Sequence, residues 1–386
     1  MGVALGRSSG HGRPVRKLWL GLACAALLVG SAGACNTADL KQAPGSSGGG
    51  TSGEDPGPPD PHSGLVVDGG RDPGADAAIV PSSTGITIQV QPDTTVDVVA
   101  QIAASIRGAK TSVHMTMYLL TNSSIIDALG DLKDAGKDVK VVLNKTFPPN
   151  GGDNSSAFAE LQKRGVPVAY ASSAYQFTHA KTVIIDSKKV LVMTMNLTFT
   201  SAKENREYIA TDNDPADVAD CETLFTADFV GASVSVNGKL IVSPAAAQPV
   251  DPRARLKGLI DSAKTSLDVE VQALSDTTLT DAIIAAHQAN VAVRVVLSGE
   301  PGQSPSELAM IAKLKQAGVP LKGVLTPYIH AKVIVVDGKT VFVGSQNFTP
   351  TALLQNREVG VVTDAAGEAK KVGDVIAKDF LAGAAM

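Results

Sequence analysis

The feature that most constrains this chain is a two-fold internal repeat, which runs from about residue 86 to residue 386. Ala109-Lys-Thr-Ser-Val113 returns as Ala263-Lys-Thr-Ser-Leu267, and Lys140-Val-Val-Leu143 returns as Arg294-Val-Val-Leu297. The offset between matching segments is 154 residues here and 151 residues further along the chain. A unit that is repeated at a nearly fixed offset folds to the same plan each time. The chain must therefore build two similar halves that differ only in their loops.

Each half alternates helices with apolar strands. The first half predicts helices near 96–108, 123–135 and 154–164, and strands at 112–118, 138–143, 165–168, 182–186 and 190–195. The second half predicts helices near 252–263, 277–289 and 304–317, and strands at 266–272, 291–297, 318–321, 333–337 and 340–344. This alternation predicts an α/β fold of two pseudo-symmetric halves, each a mostly parallel sheet flanked by helices, packed into one globule. We place the first repeat at 86–232 and the second at 233–386.

The first 85 residues have the composition of an export signal followed by a tether. A basic segment precedes the apolar run 18–29, which is short for a transmembrane helix, and small residues lead to Cys35. Because Ala32-Gly33-Ala34-Cys35 resembles the bacterial lipobox, we expect residues 1–35 to be a lipoprotein signal peptide with Cys35 lipidated. The alternative is a secreted protein cut near the same place. Residues 36–85 are rich in Gly, Pro, Ser and Asp and predict a disordered tether.

Polar residues of the same types keep one register in the two repeats. They are His179, Lys181, Asp186, Asn196 and Glu207 in the first copy, and His330, Lys332, Asp337, Asn347 and Glu358 in the second. Alternate residues of a strand point to one face, so each histidine projects together with the lysine two positions on. If both strands end at the pseudo-dyad, two imidazoles, two ammonium groups and two amides converge. Such a set suits a phosphate diester, because stabilisation of charge on the transferring group is usually the largest catalytic effect.

These residues resemble the phospholipase D superfamily, whose signature is H-x-K-x4-D followed by G-S-x-N. The second copy fits in full, as His330-Ala-Lys332 through Asp337 and then Gly344-Ser345-Gln-Asn347. The first copy departs from it, because Met193 and Thr194 replace the glycine and the serine. We expect Met193 to crowd its side of the pocket. The resemblance covers about residues 86–386.

The resemblance implies a two-step mechanism that needs neither metal nor cofactor. One histidine attacks phosphorus to form a phosphohistidine, and the other protonates the departing alkoxide and then activates water or an alcohol. By analogy His179 is the nucleophile and His330 the acid and base, although the pseudo-symmetry leaves the reverse open. The resemblance implies that the phosphoryl oxygens are bound by Lys181, Lys332, Asn196 and Asn347. It implies that Glu207 and Glu358 accept the second ring N–H of the histidines, and that Thr194 and Ser345 contact the substrate. Asp186 and Asp337 are expected to be structural residues that cap turns beside the site.

The expected function is cleavage of phospholipid head groups at a membrane that the lipid anchor reaches, with transfer to another alcohol as a second outcome. A net charge of −4 disfavours a protein that grips nucleic-acid backbones. Two alternatives stay open: an exported nuclease with the same chemistry, and a lipoprotein that binds phospholipid without turnover. We expect no zinc, because lysines beside the histidines repel the ion. We also expect a monomer without an obligate protein partner. Tyr118, Phe177 and Tyr328 are predicted either to line the site or to pack beside it.

Overall fold

The computed structural model describes residues 85–148 and 152–386. The predicted leader, the lipidation site at Cys35 and the tether up to residue 84 lie outside the described residues. No helix in the described ranges has the length and apolarity to cross a membrane.

The first half builds seven strands and five helices. Its strands are β1 (Thr87–Gln91), β2 (Ser112–Met117), β3 (Asp138–Leu143), β4 (Val168–Tyr170), β5 (Lys181–Ile185), β6 (Lys189–Met193) and β7 (Asn205–Asp212). Its helices are α1 (Val98–Arg107), α2 (Ser123–Asp134), α3 (Ser155–Lys163), α4 (Phe199–Glu204) and α5 (Pro215–Val230). The strands form one sheet in the order β1-β7-β6-β5-β2-β3-β4.

The second half repeats this plan with small additions. Its strands are β8 (Ile241–Ser243), β9 (Ser266–Val271), β10 (Ala292–Ser298), β11 (Leu321–Val324), β12 (Tyr328–Ile329), β13 (Lys332–Val336), β14 (Thr340–Gly344), β15 (Glu358–Thr363) and β16 (Ala384–Ala385). Its helices are α6 (Pro252–Asp261), α7 (Thr277–Gln288), α8 (Pro305–Gln316), α9 (Pro350–Leu354) and α10 (Ala366–Ala382). The second sheet has the order β16-β11-β10-β9-β13-β14-β15-β8, and β12 instead joins the first sheet beside β7.

Both sheets are mixed, which corrects the prediction of mostly parallel sheets. Parallel pairing holds β2 to β3 and β4, and β9 to β10 and β11. Antiparallel pairing holds the series β2-β5-β6-β7-β1 and its counterpart β9-β13-β14-β15-β8. Tight turns account for the antiparallel pairs β5-β6 and β13-β14, since a short turn can join only antiparallel neighbours. The prediction of two α/β halves is confirmed.

Three apolar layers hold the fold together. The central layer draws buried side chains from both sheets and from α5 and α10, including Val192, Phe225, Val333 and Ile376. One outer layer lies between the first sheet and α1, α2 and α3, and the other lies between the second sheet and α6, α7 and α8. Each sheet is therefore covered on both faces, which leaves its ends as the places where polar side chains gather.

The two edges of the sheets differ. We call the edge where β2 and β9 end, at Met117 and Val271, the upper edge, and the edge where they begin the lower edge. Lys181 pairs with Met117 and Lys332 with Val271, so both H-x-K motifs lie at the upper edge. Backbone N–H groups of His179 and His330 donate across the halves to the carbonyls of Arg357 and Arg206, at 2.9 and 3.2 Å. The upper edges of the two halves therefore meet.

Candidate active site

The two histidines and the two lysines converge, as the repeat predicted. All four side chains are buried, with His179 4% and His330 1% exposed. The ammonium group of Lys332 donates to the backbone carbonyl of His330 at 2.7 Å and to Oε1 of Gln272 at 2.9 Å. Lys181 likewise donates to the backbone carbonyl of His179. Each lysine is thus locked against its own histidine.

Each histidine faces the glutamate of the other half. Nδ1 of His179 lies 3.0 Å from both carboxylate oxygens of Glu358, and Nδ1 of His330 lies 2.8 Å from Oε1 of Glu207. The sequence predicted that the glutamates serve the histidines, but the offset of 151 residues carried no information about this exchange of partners. A carboxylate on Nδ1 fixes the ring and leaves Nε2 for chemistry. Neither half therefore contains a complete site.

Burial governs the charge states in this centre. Burial raises the pKa of Glu207 and of Glu358 to about 7, although the charges of Lys332 and Lys181 oppose the rise. Burial also lowers the pKa of His330 well below its usual value, and the charges of Lys332, Lys181 and His179 lower it further. This lowering of the pKa favours the neutral imidazole of His330.

The hydroxyls of Thr194 and Ser345, which were predicted to contact substrate, make hydrogen bonds within the protein. The Thr194 hydroxyl donates to Oε2 of Glu207 at 2.5 Å and accepts the backbone N–H of Tyr208 at 2.9 Å. The Ser345 hydroxyl accepts the backbone N–H of Val359 at 3.1 Å. Both side chains are fully buried, so these protein contacts use their hydrogen-bonding capacity.

Four asparagines surround the same centre. Asn196 and Asn347 follow β6 and β14 at the upper edge and are 3% and 2% exposed, in the place predicted for amide donors. Asn205 and Asn356, which begin the two Asn-Arg-Glu segments, donate to Glu207 and Glu358 respectively, at 3.1 and 3.0 Å.

The two sides of the site differ in polarity. On the first side the ring of Tyr118 contacts the His179 ring at 4.6 Å between centroids, Lys181 Nζ lies 4.9 Å from the Tyr118 centroid, and Phe147 and Phe177 pack around Tyr118. On the second side the corresponding residues are Gln272, whose amide donates to the Tyr328 hydroxyl at 2.9 Å, and Tyr328, whose ring stacks near His330. The His179 side is therefore apolar and the His330 side is polar.

Met193 does not crowd the pocket, so that prediction was wrong. Its side chain is fully buried in the outer layer beneath α1 and α2. Its counterpart Gly344 is required by local packing, because a Cβ there would lie 2.6 Å from the Phe342 ring and 2.3 Å from Gln346 Oε1. The first repeat has leucine and methionine in place of these two neighbours, at Leu191 and Met195. The departure from the family signature therefore reflects core packing.

Two arginines in the interior of the fold, Arg357 fully buried and Arg206 half-buried, were missed by the sequence analysis. Arg357 pairs through Nε and Nη2 with both carboxylate oxygens of Asp228 at 2.9 and 3.0 Å, and Arg206 pairs in the same way with Asp379. Each pair joins the Asn-Arg-Glu segment of one half to the long helix of the other. The available signal was the spacing of Asp228 and Asp379, which is also 151 residues.

Asp186 and Asp337 cap turns, as predicted, but they lie at the lower edge and not beside the site. Each carboxylate accepts three backbone N–H groups and a threonine hydroxyl, from residues 110–112 and 264–266. Asp186 follows the last residue of β5, whose first residue is Lys181. At about 3.3 Å per residue, Asp186 is roughly 17 Å along the strand from Lys181.

We expect Asp337→Asn to lower the free energy of unfolding by about 1–2 kcal/mol near neutral pH, through weaker charge-assisted hydrogen bonds. Partial burial acts to raise the pKa of Asp337, but the N–H donors of Ser266 and Thr265 outweigh it and hold the pKa at about 2. A lowered folded pKa contributes stability above the unfolded value of about 3.9, and this is lost as the pH falls toward 2. Urea unfolding from pH 7 to 2 should show the difference between wild type and variant shrinking only below about pH 4. A pH-independent difference would contradict this account.

The described residues contain no group of three or more His, Cys, Asp or Glu side chains arranged to hold a metal ion. The site instead presents lysine ammonium groups and asparagine amides. These groups can stabilise negative charge on phosphoryl oxygens directly.

Comparison with known proteins places this fold and site. The sequence profile of a family described as cardiolipin synthase, PLD-like domain, matches residues 102–229 and 256–380. A mitochondrial cardiolipin hydrolase of Xenopus laevis is 33% identical over 112 residues, covering 29% of this chain and 52% of that protein. A phospholipase D of Rickettsia bellii is 33% identical over 119 residues, covering 31% and 57%. The chain spans about half the length of these curated relatives.

A solved structure agrees in fold. The phosphatidylserine synthase of Haemophilus influenzae aligns with a TM-score of 0.57 at 13% identity, covering 76% of this chain and 85% of that one. Like that structure, this chain is built from α/β units, and its two pseudo-symmetric halves share one histidine and lysine centre. Because the profile matches once in each repeat and covers more than half of the sequence, the chain belongs to the PLD-like family of the phospholipase D superfamily.

Proposed function

We propose that this protein is a phospholipase D-type phosphodiesterase that cleaves the head-group phosphodiester of phospholipids without a metal. The observation that carries the proposal is the reciprocal pairing of His179 with Glu358 and of His330 with Glu207, with a buried lysine beside each histidine. That arrangement supplies two oriented imidazoles and a cationic cradle for one phosphate.

The chemistry runs in two balanced steps. Nε2 of one histidine attacks phosphorus and forms a P–N bond, while the bond from phosphorus to the head-group oxygen breaks and the other histidine gives that oxygen its proton. The second histidine, now neutral, takes a proton from water. The hydroxide attacks phosphorus, breaks the P–N bond and releases phosphatidic acid. An alcohol in place of water gives transfer to a new head group.

The polarity of the two walls supports a phospholipid as substrate. The apolar wall of Tyr118, Phe147 and Phe177 suits the part of the substrate that carries acyl chains, and the polar wall of Gln272 and Tyr328 suits an alcohol with hydrogen-bonding groups. A nuclease would instead need cations along an extended strand. The chain has 34 Lys and Arg residues against 38 Asp and Glu residues, so no overall surplus of cations exists.

The test offers the full chain phospholipid vesicles and DNA in parallel reactions that contain a chelator, with His179→Ala as the blank. Head-group release that disappears in the variant supports the proposal. Cleavage of DNA alone would make the protein a nuclease, and vesicle binding without turnover of either substrate would make it a binding protein. Mapping of the phosphorylated peptide in quenched reactions then identifies the nucleophile as His179 or His330.

We expect Lys332→Met to lower kcat/KM by roughly 10²–10³-fold, because a buried cation beside the transferring phosphoryl group is lost. Methionine keeps most of the side-chain volume, so the unfolding midpoint should stay close to that of wild type. The matched control is Lys188→Met, in the exposed turn after β5, which should leave the kinetics unchanged. If the two variants have equal kcat/KM, Lys332 takes no part in catalysis.

The proposal extends to the location of the protein. The basic and apolar leader and the lipobox-like segment ending at Cys35 support export and lipid anchoring at the cell envelope. Growth with a labelled fatty acid should label the wild-type chain and not Cys35→Ser. A chain that is exported without label would instead be a secreted protein.

A further inference from the structure

The exposed apolar side chains of the described residues are distributed unevenly. Seven large apolar side chains are exposed, and all seven lie at the upper edge. Phe199 and Leu354 belong to α4 and α9, the short helices that connect the site asparagines to the Asn-Arg-Glu segments. Leu325, which is 60% exposed, directly follows the last residue of β11. These three side chains therefore surround the connections that build the site.

The other four exposed apolar side chains lie at helix ends that reach the same edge. Leu308 is in the first turns of α8, which follows β10 at the upper edge, and Val250 precedes α6, whose other end leads into the start of β9. Val230 and Leu381 end α5 and α10, which rise from the lower ends of β7 and β15. Their exposures of 70% and 85% are large for such residues.

The lower edge is polar by contrast. Its connections carry Lys110 and Lys264 before β2 and β9, Lys188 and Lys339 in the turns after β5 and β13, and Asn290 before β10. No large exposed apolar side chain of the described residues lies there. The large exposed apolar side chains of the described residues are therefore confined to the edge that carries the site.

The upper edge also contains a groove lined by apolar side chains. A cavity of about 700 Å³ lies between α8 and the last residues of the chain, and Leu308, Ile311, Leu325 and Met386 line it. Gly299 and Glu300, which directly follow β10, also line it. Scattered exposed apolar residues are ordinary on a protein surface, but their concentration around one site indicates an interaction surface.

We propose that the upper edge docks onto a lipid surface, with Phe199, Leu308 and Leu325 inserted among the lipids and the site facing the membrane. The inference rests on the proposed function, because a lipid substrate has to enter the site at this edge. Continuity with the site favours a lipid surface over a second copy of the chain, which would close the entrance. Since side chains of this kind sit at the boundary between headgroups and acyl chains, insertion is favourable without a membrane-spanning segment.

The first test uses tryptophan as a reporter of contact. Trp19 is the only tryptophan, so Trp19→Phe gives a silent background in the full chain. Phe199→Trp places a reporter at the upper edge, and Lys188→Trp places a matched one at the lower edge. With vesicles that contain brominated phospholipids, we expect the emission of Phe199→Trp to shift to the blue and be quenched. Lys188→Trp should show neither change, although the leader and any lipid anchor are the same in both proteins.

The outcomes separate docking from catalysis. Equal quenching of both reporters, or of neither, overturns the docking inference even if phospholipid is hydrolysed. A blue shift of Phe199→Trp without vesicles, accompanied by dimers in sedimentation, assigns this surface to a second copy and also overturns it. If only the Phe199→Trp reporter is quenched and the protein hydrolyses no phospholipid, the docking inference holds and phospholipid is not the substrate.

The second test uses turnover. The double variant Phe199→Ser, Leu325→Ser should lower hydrolysis of vesicle phospholipid by about tenfold, because two apolar side chains no longer insert. Hydrolysis of a water-soluble aryl phosphodiester should stay unchanged, since neither residue belongs to the catalytic centre. An equal loss on both substrates would show that the variant damages the site, and no loss on either would overturn the inference.

Discussion

We expect His179→Ala and His330→Ala each to lower turnover by roughly 10⁴-fold or more, because both chemical steps require both imidazoles. Without the nucleophile no P–N bond forms, and without the acid the alkoxide leaves unprotonated. Groups that act as one unit are strongly non-additive, so the double variant should be about as slow as either single variant. The measurement is steady-state release of head group from vesicles.

The pairing of each histidine with the glutamate of the other half allows a further test of the two-histidine mechanism. Glu358→Gln should impair catalysis through His179, and Glu207→Gln through His330, since the amide no longer supports an imidazolium. His287→Ala is the matched control, because His287 lies in the last turn of α7 and has no histidine counterpart in the other repeat. Substantial activity in either His179→Ala or His330→Ala would contradict the two-histidine mechanism. An equal loss of turnover in His287→Ala would show that replacing any of these histidines disturbs the fold.

The repeat in the sequence predicted most of the scaffold. Strands were expected at 112–118 and 266–272 and are found at Ser112–Met117 and Ser266–Val271, because apolar runs with β-branched residues mark buried strands. Helix α5 at Pro215–Val230 was not predicted, although Asp214 and Pro215 form a clear helix start. Local patterns locate elements well, but they do not determine strand direction, so the antiparallel half of each sheet was missed.

The candidate site was predicted in its membership and only partly in its geometry. A shared offset identified His179 and His330 with their lysines, but it could not show that Glu358 belongs to His179, since partner choice depends on how the halves pack. Thr194 was assigned to substrate because its counterpart stands in a signature motif, whereas the folded chain directs its hydroxyl to Glu207. Long-range contacts of this kind are invisible in a single sequence.

The same limit applies to the arginine and aspartate pairs, of which the fully buried pair Arg357 and Asp228 gives the largest expected effect on stability. We expect Asp228→Ala to lower the free energy of unfolding by about 3–5 kcal/mol, because it leaves the Arg357 guanidinium charged, buried and without its carboxylate. Arg357 is 1% exposed and Asp228 2%, so water cannot replace the lost partner. Urea unfolding of the two proteins at neutral pH gives the difference.

Activity should fall together with stability in this variant, for a geometric reason. The backbone carbonyl of Arg357 accepts the N–H groups of His179 and Ala180, both at 2.9 Å, so a shift of this segment moves the histidine. Asp374→Ala provides the control, because its partner Lys370 is exposed and such surface pairs contribute little. If Asp228→Ala lowers the free energy of unfolding only as little as Asp374→Ala does, the pair of Arg357 and Asp228 does not stabilise the fold. A large loss of stability with unchanged kcat in the folded fraction would confine the pair to the scaffold, and a fall in kcat would make Asp228 a positioning residue for His179.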